Sequence, residues 1–233
     1  MKPSRRQRAR DGLESGKAAY EDLVSRQDRK QRTHDSLMDA ALTLMSQGRG
    51  FGSLSLREIT REAGVVPTAF YRHFRDMDEL GLALVEGSGL TLRRLLREAR
   101  KAGVPTTDII RSSVAIYKRY VEENPRYFLV SSRERLTGSP LMRYAIRTET
   151  NHFINEMAQD LRHLRLIPKL SMESLRMICG LVVNTMLNAA SDILDLPAGQ
   201  PQAEQELMDN FVRQLTLIFL GAGQWRERKA SAT

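Results

Sequence analysis

Apolar residues recur along most of this chain at the three- and four-residue spacing of an α-helix, and no stretch keeps the two-residue alternation of a strand. Leu37, Ala40, Ala41, Leu44 and Met45 fall at i, i+3, i+4, i+7 and i+8, one face of a helix that the glycine cluster Gly48–Gly52 ends. A glycine cluster that cradles phosphate should follow a strand; this one follows a helix and reads as a loop. Ser55 and Glu58 have the spacing of a capping box, which predicts a short helix over 56–63. Gly64 suits a left-handed C-cap, Val65 and Val66 form a turn, and Pro67 is placed for the first turn of a helix over 68–74. Asp76 or Asp78 then caps a longer helix over 77–101. Amphipathic helices over 107–122, 126–136, 141–164, 172–194 and 203–228 complete the chain. They are separated at Gly103 and Pro105, Asn124-Pro125, Thr137–Pro140, before Pro168, and at Pro197–Pro201. The fold class is therefore all-α, with no internal repeat.

Residues 1–28 lack a sustained apolar period and read as a flexible basic arm, with a helical tendency near 17–23. Such an arm lies on DNA or serves as a solubilising tail. The expected organisation is the arm, a three-helix unit over 29–76, a larger helical domain over 77–228 and a short tail over 229–233. With 233 residues, 41% hydrophobic and 27% charged, the chain can bury a sizeable core and is not wholly disordered. Lysine and arginine number 36 against 28 acidic residues, a net charge of +8, which suits a polyanionic partner such as nucleic acid.

Other chemistries find little support. The single cysteine, Cys179, cannot form an internal disulfide, and a reducing, cytoplasmic setting fits it. His34, His73, His152 and His163 are scattered, so no metal site is expected, and neither a nucleophile elbow nor a phosphate-binding loop is present. The basic N-terminus is followed by no apolar segment of the secretory type. The most apolar stretches, 178–183 and 215–222, fall well short of the ~20 consecutive apolar residues that a membrane span takes, so no membrane partner is expected. These features point away from an enzyme.

Two short helices joined by a glycine-containing turn make a helix-turn-helix, whose second helix enters the major groove. In PTAFYRHF, Phe70 and Phe74 share a face and anchor to a core. Thr68, Tyr71, Arg72 and His73 are left pointing outward, where each can donate to a phosphate or a base edge, and Arg72 can bind guanine through two bonds. Ser55 and Arg57, at the start of the first short helix, can meet phosphate at a helix N-terminus. Each has a plainer alternative: Ser55 caps, Tyr71 packs its ring, His73 is structural.

The segment from Leu54 to Leu80, LSLREITREAGVVPTAFYRHFRDMDEL, resembles the DNA-binding segment of TetR-family regulators. The features that carry it are Ala63-Gly64-Val65, the aromatic pair Phe70-Tyr71, His73-Phe74 and a leucine six residues on. The resemblance implies DNA contacts at the positions of Thr68, Tyr71 and His73, the last two largely through phosphates. Met77 stands where many members carry a phosphate-binding lysine, so that contact is expected to be missing. Asn124-Pro125 with Phe128, then Arg133-Glu134-Arg135 and Gly138-Ser139, resemble the FabR/DesT type of fatty-acid regulator. That resemblance implies a dimeric repressor of unsaturated fatty acid synthesis on palindromic double-stranded DNA. Its effector would be long-chain fatty acyl-CoA and no cofactor would be needed. An unsaturated chain would favour DNA binding and a saturated one would not.

In the C-terminal domain, Leu207, Phe211, Leu215, Ile218 and Trp225 make one apolar seam and Leu175, Ile178 and Val182 another. They suit either a dimer interface or a monomer core; the resemblance implies the former, as a four-helix interface. An acyl pocket has candidate lining in Tyr117, Tyr120, Val121, Phe128, Met142, Ile146, Phe153, Met157, Met177, Leu181 and Met186. Its cationic mouth has Arg133, Arg135, Arg143 and Arg147. The alternatives are plain core for the first group and a solvated face for the second. A drug-like effector, or an acyl-CoA-handling enzyme or lipid carrier, remain the competing functions.

Overall fold

Local signals set most of the helix boundaries in the computed structural model, which describes residues 5–101, 106–164, 170–197 and 199–226. Ser55 accepts from the Glu58 amide at 3.4 Å while Glu58 accepts from the Ser55 amide at 3.0 Å, so the capping box is complete. Gly64 takes φ 67°, the left-handed turn that a side chain disfavours. Pro67, Pro125, Pro140 and Pro201 each open a helix, where a missing N–H costs nothing. The order is α1 (Arg5–Ser46), a 3-10 turn (Phe51–Ser53), α2 (Leu56–Glu62), α3 (Pro67–Phe70), α4 (Met77–Lys101), α5 (Thr106–Glu123), α6 (Pro125–Thr137), α7 (Pro140–His163), α8 (Met172–Leu194) and α9 (Pro201–Gln224). The described residues contain no strand.

Three elements differ from expectation. The backbone is helical from Arg5, so the stretch expected as an arm is continuous with α1; its Arg, Lys, Glu, Gln and Ala residues are good helix formers that need no apolar stripe. The second reading helix stops at Phe70, although the His73 and Phe74 amides still donate to the Phe70 carbonyl at 2.9 and 3.0 Å. Past Phe70 the chain tightens into three-residue turns, Arg72 N–H to Ala69 and His73 N–H to Phe70, and Asp76, rather than Asp78, caps α4: Asp76 accepts from the Glu79 amide at 2.9 Å and Glu79 accepts from the Arg75 amide at 2.6 Å. α9 ends at Gln224, four residues early. The expected breaks at Gly103, Pro105 and Pro168 and the tail over 229–233 lie outside the described residues.

Two apolar cores form. The reading-head core joins Leu37, Ala41 and Met45 of α1 with Ile59, Phe70 and Phe74, and packing does not pause at residue 76. Leu80, Leu84 and Val85 of α4, Val130 of α6, and Met142, Ala145 and Ile146 of α7 belong to it. The second core gathers α5, α7, α8 and α9 around Tyr117, Val121, Leu175, Val182 and Phe211. α8 is long and apolar enough to cross a membrane. It is instead a core helix, with Leu175, Ile178, Cys179, Val182, Val183 and Met186 buried among its neighbours.

α4 meets the first core through Gly81, where a Cβ would lie 2.8 Å from the Phe51 ring and 3.2 Å from the Met142 sulfur. At Gly87, two turns on, a Cβ would meet nothing within 4 Å. Helix propensity favours alanine at both sites by about 1 kcal/mol, so the packing decides the sign. Chemical denaturation should show Gly87→Ala stabilised and Gly81→Ala destabilised by about 1–3 kcal/mol, the cost of overpacking.

Candidate functional site

The outward face of the reading head is polar and open. Thr68, Tyr71 and Arg72 are exposed, Tyr71 at 64%, while Phe70 and Phe74 are sealed in the core beneath them. His73 is half-buried, with its ring 6.2 Å from that of His34, which packs on Phe74 at 4.9 Å. Burial, and then the positive surroundings of His34, Lys30 and Arg72, hold the His73 imidazole below its ordinary 6.5. His34 and Lys30 come from α1, and sequence spacing did not connect them to the reading helix. Arg57 is exposed. Ser55 also lies at the surface, but its hydroxyl donates to Glu58 at 2.7 Å. That cap, not a free phosphate donor, is what its geometry provides. Glu58 itself is held down to about 2 by Arg49, 2.8 Å away, and by Ser55.

A second feature lies between α4, α6, α7 and α8. It is an open cavity of about 790 Å³, the solvent-filled space of its mouth included. Of the residues expected to line it, Tyr117, Phe128, Ile146 and Phe153 do so, and Arg135 stands at its rim. Arg135, Ile146, Thr150 and Leu187 are shared with an adjoining groove that adds Arg143 and Arg147, so apolar walls run directly into a cluster of three guanidinium groups. Burial lifts the Tyr117 phenol well above its ordinary value and pushes that of Tyr127 up to about 12, so both stay neutral. Tyr117 donates to the Met186 carbonyl at 2.7 Å.

The remaining expectations are corrected by burial. Tyr120, Val121 and Met157 are interior packing of the second core, and Met142 belongs to the reading-head core. Met186 is buried beside Phe211 and lines a small void of its own. Met177 and Leu181 point outward, 46% and 53% exposed. Arg133 is not at the mouth; it donates to the carbonyls of Met45 and Arg49 at 2.7 Å each. The seam expected to meet a partner is largely interior as well: Leu175, Ile178, Val182, Phe211 and Leu215 are buried within one chain, and Leu207 and Ile218 pack against them. Only Trp225 is open, at 51%. The exposed apolar residues on these helices are Met177 and Leu181 on α8 and Leu217 and Leu220 on α9.

Sequence reasoning missed the α4 wall, Val85, Gly89, Leu92 and Arg93, whose spacing of four, three and one is a helical stripe. It also missed Glu149, which forms an ion pair with Arg93. Arg97 extends the contact to Glu156 at 3.0 Å and Asp160 at 3.3 Å. Among the described residues no three His, Cys, Asp or Glu side chains come together as a metal site.

Residues 37–84 match the family model of bacterial regulatory proteins, tetR family, and residues 106–217 match that of the tetracyclin repressor-like C-terminal domain. The chain belongs to the TetR family. It is a DNA-binding helix-turn-helix regulator. Its fold is shared with the fatty acid degradation regulator FadR of Bacillus halodurans, at TM-score 0.63 and 14% identity over 84% of this chain and 97% of that one. It is shared too with FadR of Bacillus subtilis in complex with stearoyl-CoA, at TM-score 0.60 and 14% identity over 78% and 96%. A TetR-like regulator of Rhodococcus sp. RHA1 matches at TM-score 0.61 and 16% identity over 81% and 96%.

The depressed His73 sets a pH prediction. Because the unfolded imidazole protonates at its ordinary value and the folded one resists, the head is favoured above pH 6.5 and loses stability as pH falls below it. A phosphate at His73 would act in the opposite sense by favouring the charged ring. Operator binding, measured by fluorescence anisotropy at fixed salt, should therefore tighten from pH 7.5 to 6.0 by at most about tenfold per pH unit. His73→Gln should lose that component.

Proposed function

We propose that this TetR-family regulator is a cytoplasmic, homodimeric repressor of fatty acid metabolism, of the type that governs unsaturated fatty acid synthesis, a reading supported by its Arg133-Glu134-Arg135 and Gly138-Ser139 motif, with long-chain acyl-CoA as its effector. The observation that carries it is the continuity of an apolar cavity with the Arg135, Arg143 and Arg147 groove. An acyl thioester has that division: a chain that leaves water, and phosphates that want guanidinium partners. The stearoyl-CoA bound by a FadR of the same fold supports the reading.

DNA contacts are assigned to Thr68, Tyr71, Arg72 and His73, with Arg57 at the flank. A lone helix-turn-helix reads few base pairs, so two must act together, ~34 Å apart on a palindrome. Met177 and Leu181 of α8 with Leu217 and Leu220 of α9 offer the apolar surface on which two copies pair. The effector works by binding one arrangement of the heads better than another; coupling of this kind is typically ~1–3 kcal/mol. A kinked chain and a straight one fill the cavity differently, which lets them act in opposite senses.

A second reading, a compact drug-like effector, draws on the polar strip that Arg93, Glu149, Ser131 and Thr150 add to the cavity wall. Thermal shift separates the two. Oleoyl-CoA and palmitoyl-CoA should each raise the melting temperature, and unrelated hydrophobes should not. Arg143→Glu with Arg147→Glu should weaken oleoyl-CoA at least about tenfold, the loss of one to two charge-assisted bonds, while leaving free oleate little changed. On a palindromic duplex selected from a random pool, oleoyl-CoA should strengthen binding and palmitoyl-CoA should not. No response to either thioester would remove the lipid effector, and turnover of a thioester without DNA dependence would indicate an enzyme.

A further inference from the structure

The Arg133-Glu134-Arg135 run has three consecutive charges with three different addresses. Arg135 faces the cavity and its groove, and donates to Asn188 at 3.4 Å. Arg133 turns the other way and closes two carbonyls, Met45 in the last turn of α1 and Arg49 in the loop that follows. Glu134 is 1% exposed, and its Oε1 accepts from the Phe51 amide at 3.0 Å. Its Oε2 meets no donor among the described residues. A carboxylate in that position is costly to bury, and a solvated α6 would not need it.

The turn it holds is the joint of the molecule. Phe51 opens the 3-10 turn between α1 and α2, and its ring is the surface against which Gly81 of α4 lies. Gly52 approaches the Ser139 side chain, which caps α7. Glu134 is also pressed against Gly138, where any side chain would collide with its carboxylate. Arg143, a guanidinium of the groove, donates to the Gly138 carbonyl. From the groove to the base of the reading head the path is thus Arg143, Gly138, Glu134, Phe51, each in contact with the next.

We propose that Glu134 is a positioning residue through which occupancy of the cavity is read by the DNA-binding head, using α6 and the α6–α7 turn as a route distinct from the tilt of α4. An anion in the groove competes for the Arg143 guanidinium now bonded to Gly138, and a chain in the cavity presses on Phe128 and Ser131 of the same helix. Either displacement moves Glu134 and Arg133 against the loop they hold. Glu134 touches neither DNA nor effector; it acts through Phe51.

This rests on the acyl-CoA reading for the choice of probe, and its test separates the two. Operator binding on the selected duplex is measured with and without oleoyl-CoA for the parent, Glu134→Ala, Glu134→Gln, Arg133→Ala and, as a control, Leu136→Ala at an exposed site on the same helix. Oleoyl-CoA affinity is measured separately, and all work is done well below each melting temperature. Glu134→Ala strands the Phe51 amide, so ligand-free operator affinity should fall about tenfold. The oleoyl-CoA-induced change should shrink toward onefold while oleoyl-CoA itself binds as before. Glu134→Gln keeps an acceptor for Phe51 and should retain the response, and Leu136→Ala should match the parent. A folded Glu134→Ala protein with the parent's operator affinity and response would overturn the proposal. If Glu134→Ala does not fold, Arg133→Ala decides by the same two readouts. If the parent ignores oleoyl-CoA, the effector reading fails, and the ligand-free operator affinities of Glu134→Ala and Arg133→Ala alone uphold or overturn the role of Glu134.

Discussion

One helix has to belong to two cores. α4 contributes Leu80, Leu84 and Val85 to the reading head and, three turns on, packs Leu92 and Leu95 against the C-terminal core. Its 25 residues span roughly 37 Å at the helical rise. Between the two contacts it forms the wall of the cavity and is tied to α7 by Arg93 and Arg97. Sharp kinks in helices arise at prolines, glycine–serine pairs, bulges or inserted groups; α4 runs unbroken through Gly87-Ser88-Gly89, and the Arg93 and Arg97 ion pairs brace it on α7. Any repacking at the cavity end therefore becomes a displacement at the head end. The buried Arg93–Glu149 pair is poor value as a source of stability, since its desolvation offsets much of its attraction. It does fix the register of α4 on α7, with Gly89 letting Glu149 come close.

α6 adds a second connection of a different kind. Where α4 transmits by stiffness, α6 transmits by having two occupied faces: Phe128, Ser131 and Arg135 toward the cavity, and Arg126, Val130, Arg133 and Glu134 toward α1 and the turn after it. Packed interiors shift between discrete arrangements rather than deforming smoothly. Two independent ties to the same head make such a shift concerted, and a ligand needs only a small preference for one arrangement to move it.

Much of this was legible in the sequence because short-range physics decides it. The Ser55–Glu58 box, the prolines in first turns and Gly64 mark boundaries through a few atoms each, and the exposed Thr68, Tyr71 and Arg72 follow from Phe70 and Phe74 taking the inner face. Phase on an all-round apolar helix was not legible. α8 is apolar on both sides, so its spacing alone could not say that Leu175, Ile178 and Val182 turn inward while Met177 and Leu181 turn out. Nor could charge patterning reveal that Arg133 and Glu134 leave water to serve backbone groups more than eighty residues away. A charge run looks the same in sequence whether it is solvated or buried; only tertiary packing separates the two.

The coupling of cavity to head is tested most directly by distance. A spin label at Glu62→Cys, exposed on α2, reports the separation of the two heads in the dimer by pulsed dipolar spectroscopy, with buried Cys179 left unlabelled. The distribution should be broad or bimodal without ligand, and oleoyl-CoA should narrow it to the component that operator DNA also selects, with reading helices ~34 Å apart. A thioester that changes operator affinity while leaving this distribution unmoved would contradict coupling through the rigid frame.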